Sequence, residues 1–180
     1  MASIKKTMAE LERLSPDEYA ENNAENGLVV VCDNLRSAFN VGSIFRTGDA
    51  FGVSKVLLCG ITCPIDNREL QKTALGAERS IPSMYYQNTT DAIQELKQGN
   101  FKIIALEQTS DAITLSSFSF EKNQKYALVL GNEVEGVADI VLELCDTTIE
   151  IPQIGSKHSL NVANASSILI WEYFKQMRLN

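Results

Sequence analysis

Three polar loops carry the residues whose types could do chemistry, and each loop follows a short apolar run. The first, "DNLRSAFNVGSIFRTGDAFG", holds Asn40 and Arg46. The second, "LGNEVEGV", holds Glu133 and Glu135, and the third, "IEIPQIGSKHSLNVANASS", holds the chain's one histidine, His158. Amide, guanidinium, carboxylate and imidazole groups can bind a polar ligand or move a proton. A binding or catalytic site is therefore expected where these loops meet.

Taken singly, these side chains also have structural explanations. Asn40 could cap a helix, and Arg46 could be a solvated charge on the helix that follows. Glu133 and Glu135 would lie near a helix N-terminus, where the helix dipole favours carboxylates. Ser159 could cap the terminal helix. Each residue alone leaves both the structural and the functional reading open.

Several common chemistries lack their motifs. The sequence has no G-x-G-x-x-G after its first apolar run and no G-x-x-x-x-G-K-[ST], so the usual dinucleotide and phosphate loops are missing. It also has no G-x-S-x-G, and His158 and Ser159 are adjacent, which seldom lets one activate the other. A hydrolase is therefore disfavoured.

The cysteines and the net charge exclude other classes. "CGITC" is one close pair with no second pair to complete a zinc knuckle, so we expect reduced, partly buried thiols and no metal site. The formal charge of −7 argues against a protein that coats nucleic acid generally. A local basic patch remains compatible with it.

The pattern of apolar residues predicts an α/β domain. Short β-rich runs predict strands over 28–33, 55–60, 101–107, 126–131 and 147–152. Helical spacing occurs over 40–52, 67–75, 89–99, 136–145 and 159–178, with Thr90 as the cap of the third of these helices. Continuous apolar strands that alternate with helices indicate a mainly parallel sheet flanked by helices. Ligands of such sheets bind beyond the carboxyl ends of the strands, where the three loops lie.

The chain length fits one domain, preceded by a short segment. Residues 1–27 predict a short helical N-terminal segment with Ser15 as an N-cap before Pro16, and 28–180 predict the main domain. No apolar run is long enough to cross a bilayer, and the start lacks the apolar core of a signal peptide. We expect a cytoplasmic protein without membrane contact.

The terminal helix is apolar on several sides. Its apolar residues include Trp171 and Phe174, and they point in several directions around the helix axis. The helix should therefore be buried on more than one face, by the core or by a second subunit.

Together, the three loops resemble the motifs of the SpoU/TrmH family of RNA 2′-O-ribose methyltransferases, in the SPOUT superfamily. The resemblance covers 28–176, with "NLRSAFNVGSIFRTGDAFG", "LVLGNEVEGV" and "IEIPQIGSKHSLNVANASSILIWE" in the family's order. It implies a parallel sheet whose C-terminal segment forms a deep trefoil knot. It also implies a homodimer that binds S-adenosyl-L-methionine in the knot and methylates a ribose 2′-hydroxyl of tRNA or rRNA.

The resemblance also implies roles for particular residues. The polar residues of the active site would be Asn40, Arg46, Glu133, Ser159 and Asn161. The methyl donor would be bound by Leu130, Gly131, Asn132, Ile151, Gln153, Ser159 and Leu160. We expect RNA to contact a local basic surface of Arg36, Arg46, Arg68, Lys72, Arg79 and Lys157.

Arg46 is the general base that the family resemblance suggests, but deprotonation of arginine is costly. At neutral pH it costs about 7 kcal/mol or more, at about 1.36 kcal/mol for each pKa unit. We therefore expect Arg46 to bind an RNA phosphate and steer the 2′-hydroxyl, becoming a base only if that contact and a buried site lower its pKa.

Two other functions are compatible with the same residues. A non-catalytic RNA-binding module could keep the knotted fold, and a small-molecule enzyme could use the same scaffold. Binding of S-adenosylmethionine would argue against the first, and turnover on RNA would argue against both.

Overall fold

The computed structural model describes residues 3–7, 9–23 and 27–179, and its centre is a seven-stranded sheet. Every pair of neighbouring strands in the sheet is parallel, in the order β3-β2-β1-β6-β4-β7-β5. The strands are β1 (Leu28–Asp33), β2 (Lys55–Cys59), β3 (Ser83–Tyr86), β4 (Phe101–Leu106), β5 (Ile113–Thr114), β6 (Lys125–Leu130) and β7 (Thr147–Glu150).

Seven α-helices connect or follow these strands in the described part of the chain. They are α1 (Pro16–Asn23), α2 (Ala38–Phe51), α3 (Arg68–Ala74), α4 (Ala77–Ser80), α5 (Thr89–Gln98), α6 (Asp139–Leu142) and α7 (Val162–Arg178). The 3-10 turns Ala9–Leu11 and Leu115–Ser117 complete the elements.

The sheet is buried on both faces, which explains why its strands are apolar throughout rather than alternating. All six residues of β1 are buried. Val30 and Cys32 belong to the core that also includes residues of α2, α3 and α7, whereas Val29 and Val31 face the core beside α5 and α6. On the first face α2 packs against both α3 and α7. This packing brings the first polar loop next to the start of α7.

The predicted α/β class with a mainly parallel sheet is confirmed, and all five predicted strands are present. The prediction missed β3 and β5, which lie at the two edges of the sheet and are short and partly exposed. The helix predicted over 136–145 is wrong in extent, because only Asp139–Leu142 is helical. The predicted cap Thr90 is also wrong, since α5 begins at Thr89 with Asn88 as its N-cap.

In the described part of the N-terminal segment, the side chain of Tyr19 packs into the main core. Ser15 and Glu18 hydrogen-bond each other's backbone N–H at the start of α1, which confirms Ser15 as the cap. Tyr19 is buried in the core, and its hydroxyl donates a hydrogen bond to the carbonyl oxygen of Gly48 at 2.9 Å. Residues 1, 2, 8 and 24–26 of the predicted 1–27 segment lie outside the described residues. The division at residue 28 stays a prediction.

Among the described helices, none combines the length and the apolar character that a membrane crossing requires.

Candidate active site

A cavity of about 770 Å³ lies at the carboxyl edge of the sheet. The loops that follow β4, β6 and β7 line it, together with the start of α7. The cavity therefore lies where a parallel sheet is expected to bind its ligand.

The loop after β6 is folded tightly on itself. Asn132 and Gly136 exchange two backbone hydrogen bonds of 2.9 Å, and the side-chain oxygen of Asn132 accepts the backbone N–H groups of Val134 and Glu135. A Cβ at Gly131 would lie 2.2 Å from the backbone nitrogen of Val137, so the two ends of the loop approach too closely for any side chain. Glycine at 131 is required by this approach.

Glu133 leaves this loop and reaches the start of α2. Its carboxylate accepts the backbone N–H of Arg36 at 2.8 Å and of Ser37 at 3.0 Å, the two residues that precede α2. Glu133 therefore lies at a helix N-terminus, as the sequence predicted, and the helix is α2, whereas Glu135 is exposed. Ser37, not Asn40, is the N-cap of α2.

A chain of side-chain hydrogen bonds joins the three polar loops. Asn40 donates from Nδ2 to the Glu133 carboxylate at 2.8 Å, and Asn161 donates from Nδ2 to Oδ1 of Asn40 at 3.0 Å. The oxygen of Asn161 accepts the backbone N–H groups of Ala163 and Asn164, which makes Asn161 the N-cap of α7. The predicted cap Ser159 and the predicted start of the terminal helix at 159 are therefore wrong.

These contacts decide the ionisation of Glu133. Burial alone would raise the pKa of its carboxyl group, but the N–H donors of Arg36, Asn40 and Ser37 outweigh burial and lower the pKa below its usual value. The carboxylate is therefore the form that the site is built to hold at neutral pH.

Most residues predicted to bind the methyl donor line the cavity. They are Gly131, Asn132, Ile151, Gln153, Ser159 and Leu160. Leu130 does not line it, because its side chain is fully buried at the end of β6. Of the polar residues predicted for the active site, Glu133 and Asn161 also line the cavity, whereas Asn40 contacts both of them from α2.

Arg46 lies outside this arrangement. It is exposed on α2, does not line the cavity, and its side chain makes no hydrogen bond or ion pair with the part of the chain that the structure describes. The other residues predicted to contact RNA, Arg36, Arg68, Lys72, Arg79 and Lys157, are exposed as well.

The sequence reading missed the cavity residues that follow β4. Glu107, Gln108 and Thr109 line the cavity, but Glu107 was included in the predicted strand and none was considered for the site. The signal was available, because the carboxyl end of every central parallel strand faces the ligand edge.

The family of the chain follows from its sequence and its fold together. Residues 27–171 match the model of the SpoU rRNA Methylase family. This match covers most of the chain and includes all three polar loops. The chain therefore belongs to the SpoU rRNA methylase family.

Named relatives agree with this assignment. The chain is 31% identical over 154 residues to the mouse tRNA (guanosine(18)-2′-O)-methyltransferase TARBP1, a match that covers 84% of this chain and 10% of TARBP1. It is 30% identical over 172 residues to a Staphylococcus aureus protein named for the TrmH family of tRNA/rRNA methyltransferases, covering 91% of this chain and 68% of the relative. The resemblance stated from the three loops is confirmed.

A solved structure shows the same fold. The AdoMet-bound rRNA methyltransferase from Sinorhizobium meliloti superposes with a TM-score of 0.77 at 27% identity, over 84% of this chain and 56% of that protein. This chain thus spans a tenth of TARBP1 and little more than half of the bacterial enzyme.

Proposed function

We propose that this chain transfers a methyl group from S-adenosyl-L-methionine to a ribose 2′-hydroxyl of tRNA or rRNA. The observation that carries the proposal is the hydrogen-bonded chain of Glu133, Asn40 and Asn161. It joins the three family motifs beside one cavity, in a member of a family of RNA methylases. TARBP1 and the Sinorhizobium meliloti enzyme, by their names, act on tRNA and rRNA.

The cavity fits the proposed methyl donor. Its volume of about 770 Å³ lies within the range of small-molecule sites. Five carboxylates line it, and among the described residues around it there is no lysine or arginine, so it suits a cationic ligand. Those carboxylates belong to Glu107, Glu133, Glu135, Asp139 and Glu150. When bound, S-adenosylmethionine supplies a methyl group on a positively charged sulfur.

The proposed donor-binding residues hold the ligand mainly through loop backbone. Gly131 and Asn132 shape the loop after β6, and Ile151 and Gln153 lie where β7 leaves the sheet. Ser159 and Leu160 also line the cavity, and Leu130 supports the loop after β6 from the core. Correct placement of reacting groups of this kind can contribute about 7 to 11 kcal/mol to a transfer reaction.

In this proposal Arg46 binds the RNA that accepts the methyl group. An exposed guanidinium that forms no hydrogen bond or ion pair with the described residues is available to bind a phosphate through two parallel hydrogen bonds. Anchored in this way, it can hold the neighbouring 2′-hydroxyl at the mouth of the donor site. Arg36, Arg68, Lys72, Arg79 and Lys157 extend the RNA contact as exposed cations of an otherwise acidic chain.

The proposed assembly is a homodimer that uses α2 and α7. Phe39 and Arg46 are exposed on α2, and Ile168 and Trp171 are 41% and 43% exposed on α7. Phe51 joins the two helices by packing against Trp171 at 5.4 Å between ring centroids. Exposed apolar side chains on two adjoining helices favour burial against a second copy. The proposal includes the trefoil knot of the SPOUT fold and a cytoplasmic location.

The test combines a binding measurement with a transfer measurement. Calorimetry should show one S-adenosylmethionine bound per chain. Label from a tritiated donor should then enter tRNA or rRNA in a form that resists alkaline cleavage, because a methylated 2′-oxygen cannot attack the adjacent phosphate. RNA binding without donor binding would instead identify a non-catalytic module. Donor binding with no label in any RNA fraction would instead favour a small-molecule enzyme.

A further inference from the structure

The end of β4 contacts both loops of the proposed donor site. Glu107 contacts the loop after β6, and Gln108 contacts the loop after β7. Both residues line the cavity, and neither belongs to the three sequence motifs.

The Glu107 carboxylate is fixed by two backbone donors. Oε2 accepts the N–H of Val137 at 3.0 Å, and Oε1 accepts the N–H of Gln108 at 2.8 Å. No lysine, arginine or histidine forms an ion pair with it in the described part of the chain. The carboxylate therefore acts through backbone hydrogen bonds rather than through a salt bridge.

Gly136 shows how closely this carboxylate follows the loop. Gly136 has φ +72°, and a Cβ at this position would lie 2.3 Å from Oε2 of Glu107. The loop has no room for a side chain there because the carboxylate occupies that space. Glu107 and the loop after β6 thus fit each other at one point of contact.

Gln108 performs the corresponding task for the other loop. Its Nε2 donates to the carbonyl oxygen of His158 at 3.0 Å. Residues 152–160 are all exposed, and they make no other hydrogen bond to the described residues. The side chain of Gln108 is therefore the polar tie that holds this loop against the sheet.

We propose that Glu107 and Gln108 are positioning residues of the methyl-donor site. They fix the loops after β6 and β7 to the end of β4 before the ligand arrives, so that the donor does not have to order them. The identity of the donor rests on the proposed function, whereas the two ties are properties of the unliganded chain.

Glu107→Gln tests the first tie, which is the hydrogen bond between the Glu107 carboxylate and the loop after β6. A glutamine side chain has one acceptor oxygen instead of two, so one backbone N–H loses its partner. Amide exchange at 131–138 in the unliganded protein should become about tenfold faster, and donor affinity should fall by about tenfold, because the competent loop is less populated. Turnover at saturating donor should stay within about threefold, which a general folding defect would not produce.

Glu143→Gln is the matched control for that substitution. Glu143 is exposed at the end of α6, lines no part of the cavity, and its side chain makes no hydrogen bond to the described residues. Donor affinity of Glu107→Gln within twofold of the parent, or an equal loss in Glu143→Gln, would overturn the role of Glu107.

Gln108→Ala tests the second tie, with Gln94→Ala as its control. Gln94 is exposed on α5 and has no hydrogen-bonding partner of its side chain among the described residues. Tryptic cleavage after the exposed Lys157 in the unliganded protein should accelerate in Gln108→Ala and not in Gln94→Ala, and donor binding should weaken only in Gln108→Ala. Equal cleavage rates in the two variants would refute the tie.

A double substitution distinguishes the contact between Gly136 and Glu107 from a non-specific loss of stability. Gly136→Ala places a methyl group where the Glu107 carboxylate lies, so it should displace the carboxylate and weaken donor binding. In a Glu107→Ala background that collision is gone. The loss of donor affinity in the double variant should therefore be smaller than the sum of the losses in the two single variants. Full additivity would mean that the two residues act independently and would contradict the proposal.

The design also separates this proposal from the proposed function. If the parent protein bound no S-adenosylmethionine, the proposed function would fail, yet amide exchange at 131–138 and tryptic cleavage after Lys157 would still test the two contacts. If the parent bound the donor, and exchange in Glu107→Gln and cleavage in Gln108→Ala both stayed unchanged, only the positioning roles would be refuted.

Discussion

The polar chain at the loops and the arginine on α2 differ in how they are held. Glu133, Asn40 and Asn161 are each fixed by hydrogen bonds to another loop, and two of them also bind helix N-termini. Arg46 lies six residues further along the same helix than Asn40, but its side chain is exposed and makes no hydrogen bond or ion pair with the described residues. One set of groups is organised by the fold, and the other group is not.

This difference indicates that the donor site and the acceptor site are formed in different ways. A site that is already ordered spends less binding energy on arranging itself when a small ligand enters. A long cation that forms no hydrogen bond or ion pair with the described residues loses its conformational freedom when a phosphate or a second subunit binds it. We therefore expect the donor site to form within one chain, and the acceptor site to be completed by RNA or by the partner chain.

The largest expected effect is the loss of turnover in Arg46→Ala. Methyl transfer to RNA should fall by about a hundredfold or more, which is about 2.7 kcal/mol of transition-state stabilisation. Donor affinity should stay within a few-fold, because Arg46 does not line the cavity. Single-turnover kinetics and donor calorimetry on the same preparation measure the two quantities.

Arg46→Lys sharpens that result. Lysine keeps the charge but loses the planar fork that binds phosphate in two places, so a substantial loss of turnover is expected here too. If Arg46→Ala instead lost donor affinity as severely as turnover, the contrast between the two regions would be wrong.

The second effect concerns the partner chain. Trp171→Asp puts a charge on the exposed surface of α7 and should shift the protein to monomers at micromolar concentration, as measured by light scattering. Because Arg46 lies on the adjoining helix, turnover should fall with the dimer fraction while donor affinity changes little. A parent protein that is monomeric at these concentrations would contradict the assembly.

The third effect is expected at the N-cap of α7. Asn161→Ala removes the acceptor for two backbone N–H groups and the bond to Asn40, and it should lower the free energy of unfolding by about 1 kcal/mol. Unlike Arg46→Ala, it should weaken donor binding and turnover together, because Asn161 lines the cavity. Chemical denaturation and calorimetry provide the measurements. The control is Asn164→Ala, because Asn164 lies about one turn after Asn161 and is exposed.

The smallest effect depends on pH. The pKa of Glu133 is lowered in the folded state, so its contribution to stability is complete above its ordinary pKa and is lost as the pH falls through the folded value. Glu133→Gln should therefore be less stable than the parent by about 1 kcal/mol at neutral pH, as expected for lost charged hydrogen bonds. The difference between the two proteins should begin to shrink as the pH falls below the usual glutamate pKa and should vanish only below the lowered pKa of the folded state. A difference that persists unchanged in acid would show that the charge of Glu133 is not what matters.

Local sequence signals predicted much of the fold because central parallel strands are buried on both faces. The run "LVVVCD" matches β1 residue for residue, and the helix over 89–99 differs from α5 by one residue. The edge strands β3 and β5 were missed, since a short exposed strand such as "SMYY" has no apolar pattern to distinguish it. The extent of α6 was missed because the loop after β6 closes by its own backbone bonds, leaving fewer residues for the helix.

The site was predictable in its residues but not in its contacts. Asn40 and Glu133 stood out as polar residues after strands, and the family resemblance named both of them together with Asn161. Their hydrogen bonds join positions that are 93 and 121 residues apart, and no local propensity encodes such pairs. Glu107 and Gln108 were overlooked because a polar pair at a strand end has no motif of its own. Their importance depends on two loops that arrive later in the chain.

Mass spectrometry of nucleosides tests the central claim most directly. Total tRNA and rRNA from a strain that lacks this chain should lose a 2′-O-methyl nucleoside at one position. The purified protein with S-adenosylmethionine should restore that mark, and Arg46→Ala should restore it at least about a hundredfold more slowly. The same total of 2′-O-methyl nucleosides with and without the chain, together with no transfer by the purified protein to either RNA, would contradict the account.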